Sequence, residues 1–271
     1  MEVQGQLEGY ERYLKARGFS QNTLRSYVWV AAYFLRTYGE VSAATLARYR
    51  DYLSAEFKDS TANQRVQAIN CYLRYLGKDD MRLRCVCVQQ VTFLEQAITS
   101  ADYRRFISYL HDGGYLRDHF AVRVMATTGV RVSELLQMEV DDVRRGSMDI
   151  RSKGKARRVY FPDAVATGVL GWLEEEGRTA GPLFLNRYGE VIAAGGLAVQ
   201  LRVRAVECGI DERLVHPHAF RHLYARSFLE AGGDVVFLAD LLGHSSVETT
   251  RKYLRRTADE QREQVNKLVT W

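Results

Sequence analysis

The chain has 271 residues, 46% hydrophobic and 26% charged, which is enough to bury a sizeable core in one large or two smaller domains. Its longest apolar run, Tyr27 to Leu35, is far short of the roughly 20 residues that span a bilayer, and no leader pattern precedes it, so a cytoplasmic protein with no membrane partner is expected. Net charge is +5 with a pI near 9.0, and the excess is uneven: residues 1–90 carry 13 Lys+Arg against 9 Asp+Glu, a net of +4, which suggests one part that grips an anion and another that acts on it.

In chain order, the first part reads as helices throughout. Leu7 to Ala16 is amphipathic and stops at Gly18. Ser20 is a good N-cap for a helix carrying Leu24, Tyr27, Val28, Ala31, Phe34 and Leu35, ended by Gly39. Ser42 caps a third helix through Leu46, Tyr49, Tyr52 and Leu53. Ser60 or Thr61 starts a fourth with Val66, Ile69, Tyr72, Leu73 and Leu76, closed by Gly77. Residues 1–78 therefore form a compact all-α module. Arg48, Arg50, Lys58, Arg65 and Arg74 intersperse its polar faces, as in phosphate-binding helices. A solvated helix face accounts for any single one of them more simply.

Residues 79–97 lose helical period and read as a basic interdomain linker. Four cysteines without paired spacing, Cys85-x-Cys87 included, favour reduced thiols over a disulfide framework or a zinc site. The second part, 98–271, opens with Thr99 or Ser100 capping a helix from Ala101 to Leu110. A helix from about His119 to Thr127 is broken by Gly129. In the sequence TGVRVSELLQM that contains it, Arg131 sits at a helix start with Glu134 on the same face. Met148–Ile150 and Val159–Phe161 then flank SKGKARR, a strand-turn-strand pattern that puts Lys153 at a hairpin tip. Helices at about Ala164–Glu176 and Leu197–Cys208 follow, with a short strand at Leu183–Leu185 between them. Pro217 suits the first turn of the next helix.

The chemistry concentrates between His216 and Tyr253, where His218, Arg221, His222, His244 and Tyr253 lie on a helical frame. Arg131, Arg221, His218 and His244 offer several donors to one anionic centre, and arginine suits bidentate phosphate contact at any pH. Tyr253 is a nucleophile only if its proton is taken, for which a neighbouring histidine could serve. Lys153 could protonate a leaving alkoxide. No nucleotide loop or metal-ligand set accompanies them, so the cations would come from side chains alone, as in phosphoryl transfer on a phosphodiester with no cofactor.

Arg131-Val-Ser-Glu-Leu, the hairpin Lys153, His218-Ala-Phe-Arg221-His222, Leu242-Gly-His244 and Thr249-Thr-Arg-Lys-Tyr253 resemble, in order, the signature boxes of the tyrosine recombinases. This is the family of phage integrases and Xer-type site-specific recombinases, and the resemblance extends to a helical N-terminal core-binding domain. Phe220 departs from it, standing where the family more often has leucine. The resemblance implies a mainly α fold with a small β-hairpin: a four-helix SAM-like core-binding domain and a mixed α+β catalytic domain, closing as a C-shaped clamp on DNA. It implies that Tyr253 attacks a DNA phosphate to give a 3′-phosphotyrosyl link and a free 5′-hydroxyl. Arg131 and Arg221 would neutralise the transition state, His218 would assist proton transfer, and His244 would bond a non-bridging oxygen. Lys153 would protonate the leaving oxygen, and Glu134 would orient Arg131. No ATP would be needed.

Other readings stay beside these. His222 is either packed beside Arg221 or in contact with phosphate. Lys155 competes with Lys153 as general acid, and Lys155, Arg157 and Arg158 either contact DNA or form a solvated hairpin face. The other tyrosines, Tyr13, Tyr49 and Tyr52 among them, are expected in core or groove contacts. Residues 259–271 carry an apolar stripe, Val265, Leu268, Val269 and Trp271, that either packs in cis or docks on a neighbouring protomer of a homotetramer assembled on inverted-repeat DNA. Two other functions compete: relaxation of DNA by a type IB topoisomerase-like enzyme, and DNA binding by a relative that has lost catalysis. A recombinase would work at the nucleoid.

Overall fold

The computed structural model describes residues 2–86, 98–152 and 155–244, together with Val247, Thr250, Asn266 and Val269. The chain divides into two compact units, Met1–Val91 and Thr92–Trp271. The described residues are mainly helical, with one two-stranded sheet.

In the first unit, α1 (Glu2–Ala16), α2 (Gln21–Tyr38), α3 (Ala43–Glu56) and α4 (Asp59–Tyr75) surround one core. The caps follow the sequence. Ser20 Oγ accepts the Thr23 N–H at 3.3 Å, and Ser42 and Thr45 form a reciprocal box, each side chain accepting the other's backbone N–H. α4 begins earlier than Ser60 or Thr61. It starts at Asp59 without a side-chain cap, and the Asp59 carboxylate instead meets the positive end of the helix. The core is rich in tyrosine. Tyr10, Tyr49 and Tyr72 are fully buried, with Tyr10 and Tyr72 edge to face at 5.0 Å. Tyr13 and Tyr52 pack partly buried at its margin.

The first half of the expected linker is attached to this unit. A short 3₁₀ turn, Asp79–Met81, leads into an extended run. There the Asn70 amide bonds both the N–H and the C=O of Leu83, at 2.8 and 2.9 Å, and Asn63 does the same with Val86, at 2.8 and 2.8 Å. Two asparagines on α4 thus substitute for a neighbouring strand, which a search for helical period does not register. Residues 87–97 lie outside the described residues.

The second unit is built around α6 (Leu116–Thr128), whose Phe120, Ala121, Val122, Val124 and Met125 are buried. It packs against α5 (Ser100–Asp112), α9 (Asp163–Glu175) and α11 (Pro217–Glu230). Short helices α7 (Val132–Leu135) and α8 (Val140–Arg144) lead to the hairpin β1 (Ser147–Ser152) and β2 (Lys155–Tyr160), paired from Ser147↔Tyr160 to Ser152↔Lys155. Both strands reach further towards the turn than the sequence suggests, and Phe161 falls just outside. The strand expected at Leu183–Leu185 reduces to isolated bridges, Glu139↔Pro182 and Leu185↔Val191. α10 (Ala194–Glu207), α11 and α12 (Val235–Leu242) complete the unit. Pro217 opens α11, with His216 Nδ1 accepting the Ala219 N–H at 3.1 Å. Phe220 is fully buried and stacked on Phe106 at 6.3 Å, so the departure at this position changes packing and not the polar set.

Candidate active site

Two left-handed glycines aim backbone at the site. Gly129 (φ 66°) ends α6 and Gly243 (φ 64°) ends α12, a conformation that costs any residue with a Cβ. The carbonyls they turn inward converge on Arg221, which is 1% exposed. Its Nη1 donates to Gly129 O at 2.6 Å, and its Nη2 donates to Leu242 O at 2.7 Å and to His244 Nε2 at 3.0 Å. The negative ends of two helices therefore compensate a buried cation.

Arg131 stands at the start of α7, its side chain 43% exposed. Glu134, one turn on, is nearly buried and holds it twice: Oε2 accepts the Arg131 N–H at 2.8 Å and Oε1 accepts Nη1 at 2.9 Å. Oε2 also accepts Arg157 Nη2 at 2.6 Å. One carboxylate thus carries two guanidiniums.

Arg157 corrects the sequence reading. It is not part of a solvated hairpin face. Its side chain is only 10% exposed, it turns inward from β2, and it donates to Glu134 and to Leu241 O. Its neighbour Arg158 does face solvent, paired with Asp149 at 2.7 Å across the hairpin. Alternation along a strand allows one of the two inside, but the sequence does not say which, because both are charged. A Cβ on Gly243 would lie 2.5 Å from Arg157 Cδ, so the glycine is needed for space as well as for its backbone. Gly243→Ala is expected to cost about 1–2 kcal/mol for the left-handed backbone alone, and more as Arg157 is displaced. Urea unfolding would measure it, and an unchanged midpoint would contradict the assignment.

His218 lies one turn before Arg221 on α11, with its ring edge to face with His222 at 4.6 Å. Partial desolvation and then Arg221 hold His218 below the usual histidine range. The effect is larger at His244: burial, then Arg221, Arg131 and Arg157, push it down to about 4. Both rings are therefore neutral at pH 7. A folded state that prefers the neutral ring loses stability as pH falls from about 6.5 towards 4, where the unfolded chain takes up the proton first. Melting temperature should drop between pH 7 and pH 5, and His244→Gln should flatten that drop; parallel curves by calorimetry would refute it.

Lys153 and Tyr253 lie outside the described residues, as does all of 259–271 except Asn266 and Val269. Lys155 opens β2, paired with Ser152. In the first unit, Arg48, Arg50, Lys58 and Arg74 are exposed, Arg74 pairing with Asp79 at 3.5 Å, while Arg65 lies over the rings of Phe57 (3.9 Å) and Trp29 (5.0 Å). Reading the sequence for charged side chains misses the two glycines, the carbonyls they present, and Thr250, whose Oγ1 lies 2.7 Å from His244 Nδ1. The signals available were Gly129 just before the Arg131 box, Gly243 within Leu242-Gly-His244, and Thr250 within the box that ends at Tyr253.

Comparison with known proteins places this arrangement. Residues 96–260 match the Phage integrase family, well over half of the chain, and the chain belongs to that family, the tyrosine recombinases. It is 29% identical to tyrosine recombinase XerA of Thermococcus kodakarensis over 261 residues, which covers 93% of this chain and 91% of that protein. Among solved structures it resembles an XerA recombinase (22% identity, TM-score 0.58, 99% of both chains). It also resembles the Tn1549 transposon integrase in complex with circular intermediate DNA (16% identity, TM-score 0.75, 97% of this chain and 99% of that one).

Proposed function

We propose that this enzyme recombines DNA at specific sites, cutting and rejoining strands through a phosphotyrosine intermediate. The observation that carries this reading is the set of cations gathered at the site. Glu134 holds the guanidiniums of Arg131 and Arg157, Arg221 donates to Gly129 O, Leu242 O and His244, and all three arginines bear on the neutral His244 ring. Such a set of donors, held by a scaffold that need not reorganise, suits a phosphodiester whose charge grows in the transition state.

In this mechanism the Tyr253 oxygen bonds to phosphorus as its proton passes to a base, for which His218 is placed on the neutral side of its titration. Arg131 and Arg221 stabilise the five-coordinate phosphorus. Lys153 gives a proton to the departing 5′-oxygen, leaving a 3′-phosphotyrosyl ester. A 5′-hydroxyl from the partner strand reverses these steps, so the phosphoester energy is conserved and no nucleotide is consumed. The exposed Arg48, Arg50 and Lys58 of the first unit contact phosphates. Assembly is a homotetramer on inverted repeats at the nucleoid, with residues 259–271 docking between protomers. Deleting 259–271 should leave DNA binding intact and impair recombination, as read by gel shift and plasmid recombination; unaffected recombination would argue for docking in cis.

The deciding experiment selects the protein's own site from a library of palindromic duplexes and presents it as a nicked suicide substrate. Covalent protein on a 3′-phosphate end, dependent on the selected site, supports the recombinase. Relaxation of any supercoiled plasmid would favour a topoisomerase, and binding without an adduct would favour a silent relative.

A further inference from the structure

His244 places its two ring nitrogens on two different partners. Nε2 lies 3.0 Å from Arg221 Nη2, and Nδ1 lies 2.7 Å from the hydroxyl of Thr250, which is fully buried. A guanidinium only donates, so Nε2 must be the bare nitrogen in this contact. The neutral ring then carries its proton on Nδ1 and donates it to Thr250 Oγ1. In this state the side of the imidazole facing the arginines presents a lone pair. A phosphate oxygen is itself an acceptor and could not be bonded there.

Two changes could supply a proton at Nε2. Protonating the whole ring is opposed by burial and by Arg221, Arg131, Arg157 and His218, which together hold the group near pH 4. Exchanging the tautomer keeps the ring neutral and avoids that cost. It requires a partner at Nδ1 that can stop accepting and start donating. A hydroxyl has one proton and two lone pairs, so it can do both by rotating.

We propose that Thr250 is a positioning residue that lets His244 exchange its tautomer when a phosphoryl group enters the site. One proton leaves Nδ1 and one is taken up at Nε2, with water as the carrier, so the charge of the site does not change. The Thr250 hydroxyl turns to donate to the bare Nδ1. Arg221 Nη2 releases Nε2, and both Nη2 and Nε2–H become available to phosphate oxygens. This rests on the reading that Arg221 and His244 hold phosphate, and the test separates the two ideas.

The test uses the full chain with ¹⁵N-labelled histidine and arginine, with orthovanadate as the phosphoryl probe. Long-range ¹H–¹⁵N spectra distinguish the tautomers, and His244→Gln assigns the signal. The free protein should show His244 protonated at Nδ1, and saturating vanadate should move the proton to Nε2 while the arginine resonances shift. Thr250→Val leaves Nδ1 without a partner in either tautomer, so the ring is no longer held towards the arginines and vanadate should bind roughly 10-fold or more weakly. Thr250→Ser should restore both the affinity and the wild-type exchange of the tautomer, which a purely space-filling role would not require. If the arginine signals move while wild-type His244 stays at Nδ1–H, the proposal is overturned and the phosphate site stands. Wild-type affinity for vanadate in Thr250→Val overturns it too. Arginine signals that do not respond to vanadate overturn the phosphate reading itself, and the proposal with it. If the valine variant fails to fold by circular dichroism, the wild-type and serine spectra still decide.

Discussion

Replacing Tyr253 with phenylalanine is expected to abolish the covalent protein–DNA adduct while leaving DNA binding essentially unchanged. Phenylalanine keeps the ring and loses only the oxygen that would bond phosphorus, so the effect is total, not graded. The chain has 16 tyrosines, and burial argues against several others. Tyr10, Tyr49 and Tyr72 sit fully buried in the first unit's core, where desolvation opposes the anion and pushes Tyr72 up to about 12. A free tyrosine is already ionised only about one part in a thousand at pH 7, so any further rise removes a nucleophile. Tyr224 is the nearest described competitor, since Arg157 and Arg221 both favour its anion. Burial outweighs them and its pKa is raised. Tyr224→Phe should therefore still form the adduct on a suicide substrate. An adduct that survives in Tyr253→Phe and vanishes in Tyr224→Phe would reverse the assignment.

Arg221→Lys should lower single-turnover strand cleavage by about 10²–10³-fold, the usual effect of losing one preorganised donor to a developing charge. The charge itself is retained, so the loss would come from geometry. Arg221 serves Gly129 O, Leu242 O and His244 Nε2 with two nitrogens of a planar fork, and a lysine ammonium has neither the fork nor its reach. Each buried carbonyl left without a donor should cost about 1–3 kcal/mol, so thermal unfolding should fall as well. Quench-flow cleavage and calorimetry together test this. Wild-type cleavage in a destabilised variant would remove Arg221 from the chemistry and leave it a structural role.

The sequence made the helical first unit legible because its caps are local: Ser20, Ser42 and Gly39 lie beside the turns they end. The hairpin was legible from alternation, and Arg131 and Arg221 from their boxes. What escaped was long-range. No local pattern tells that Asn63 and Asn70 hold an extended run, or that Arg157 rather than Arg158 turns inward to Glu134. The direction of backbone carbonyls is hidden for the same reason, because a glycine reports a conformation and not the partner it serves. The carbonyls that hold Arg221 belong to residues 92 and 21 positions away.

That spread ties when the enzyme becomes dangerous to when it is finished. A single guanidinium joins the ends of α6 and α12, so the pocket it completes is lost if either helix comes away. A chain still emerging, partly proteolysed or locally melted would hold no assembled arginine pair with which to cut DNA. Competence to cut is thus itself a measure of folding, and under rising denaturant it should disappear along with the tertiary structure of the second unit, leaving no partly unfolded form that still breaks strands.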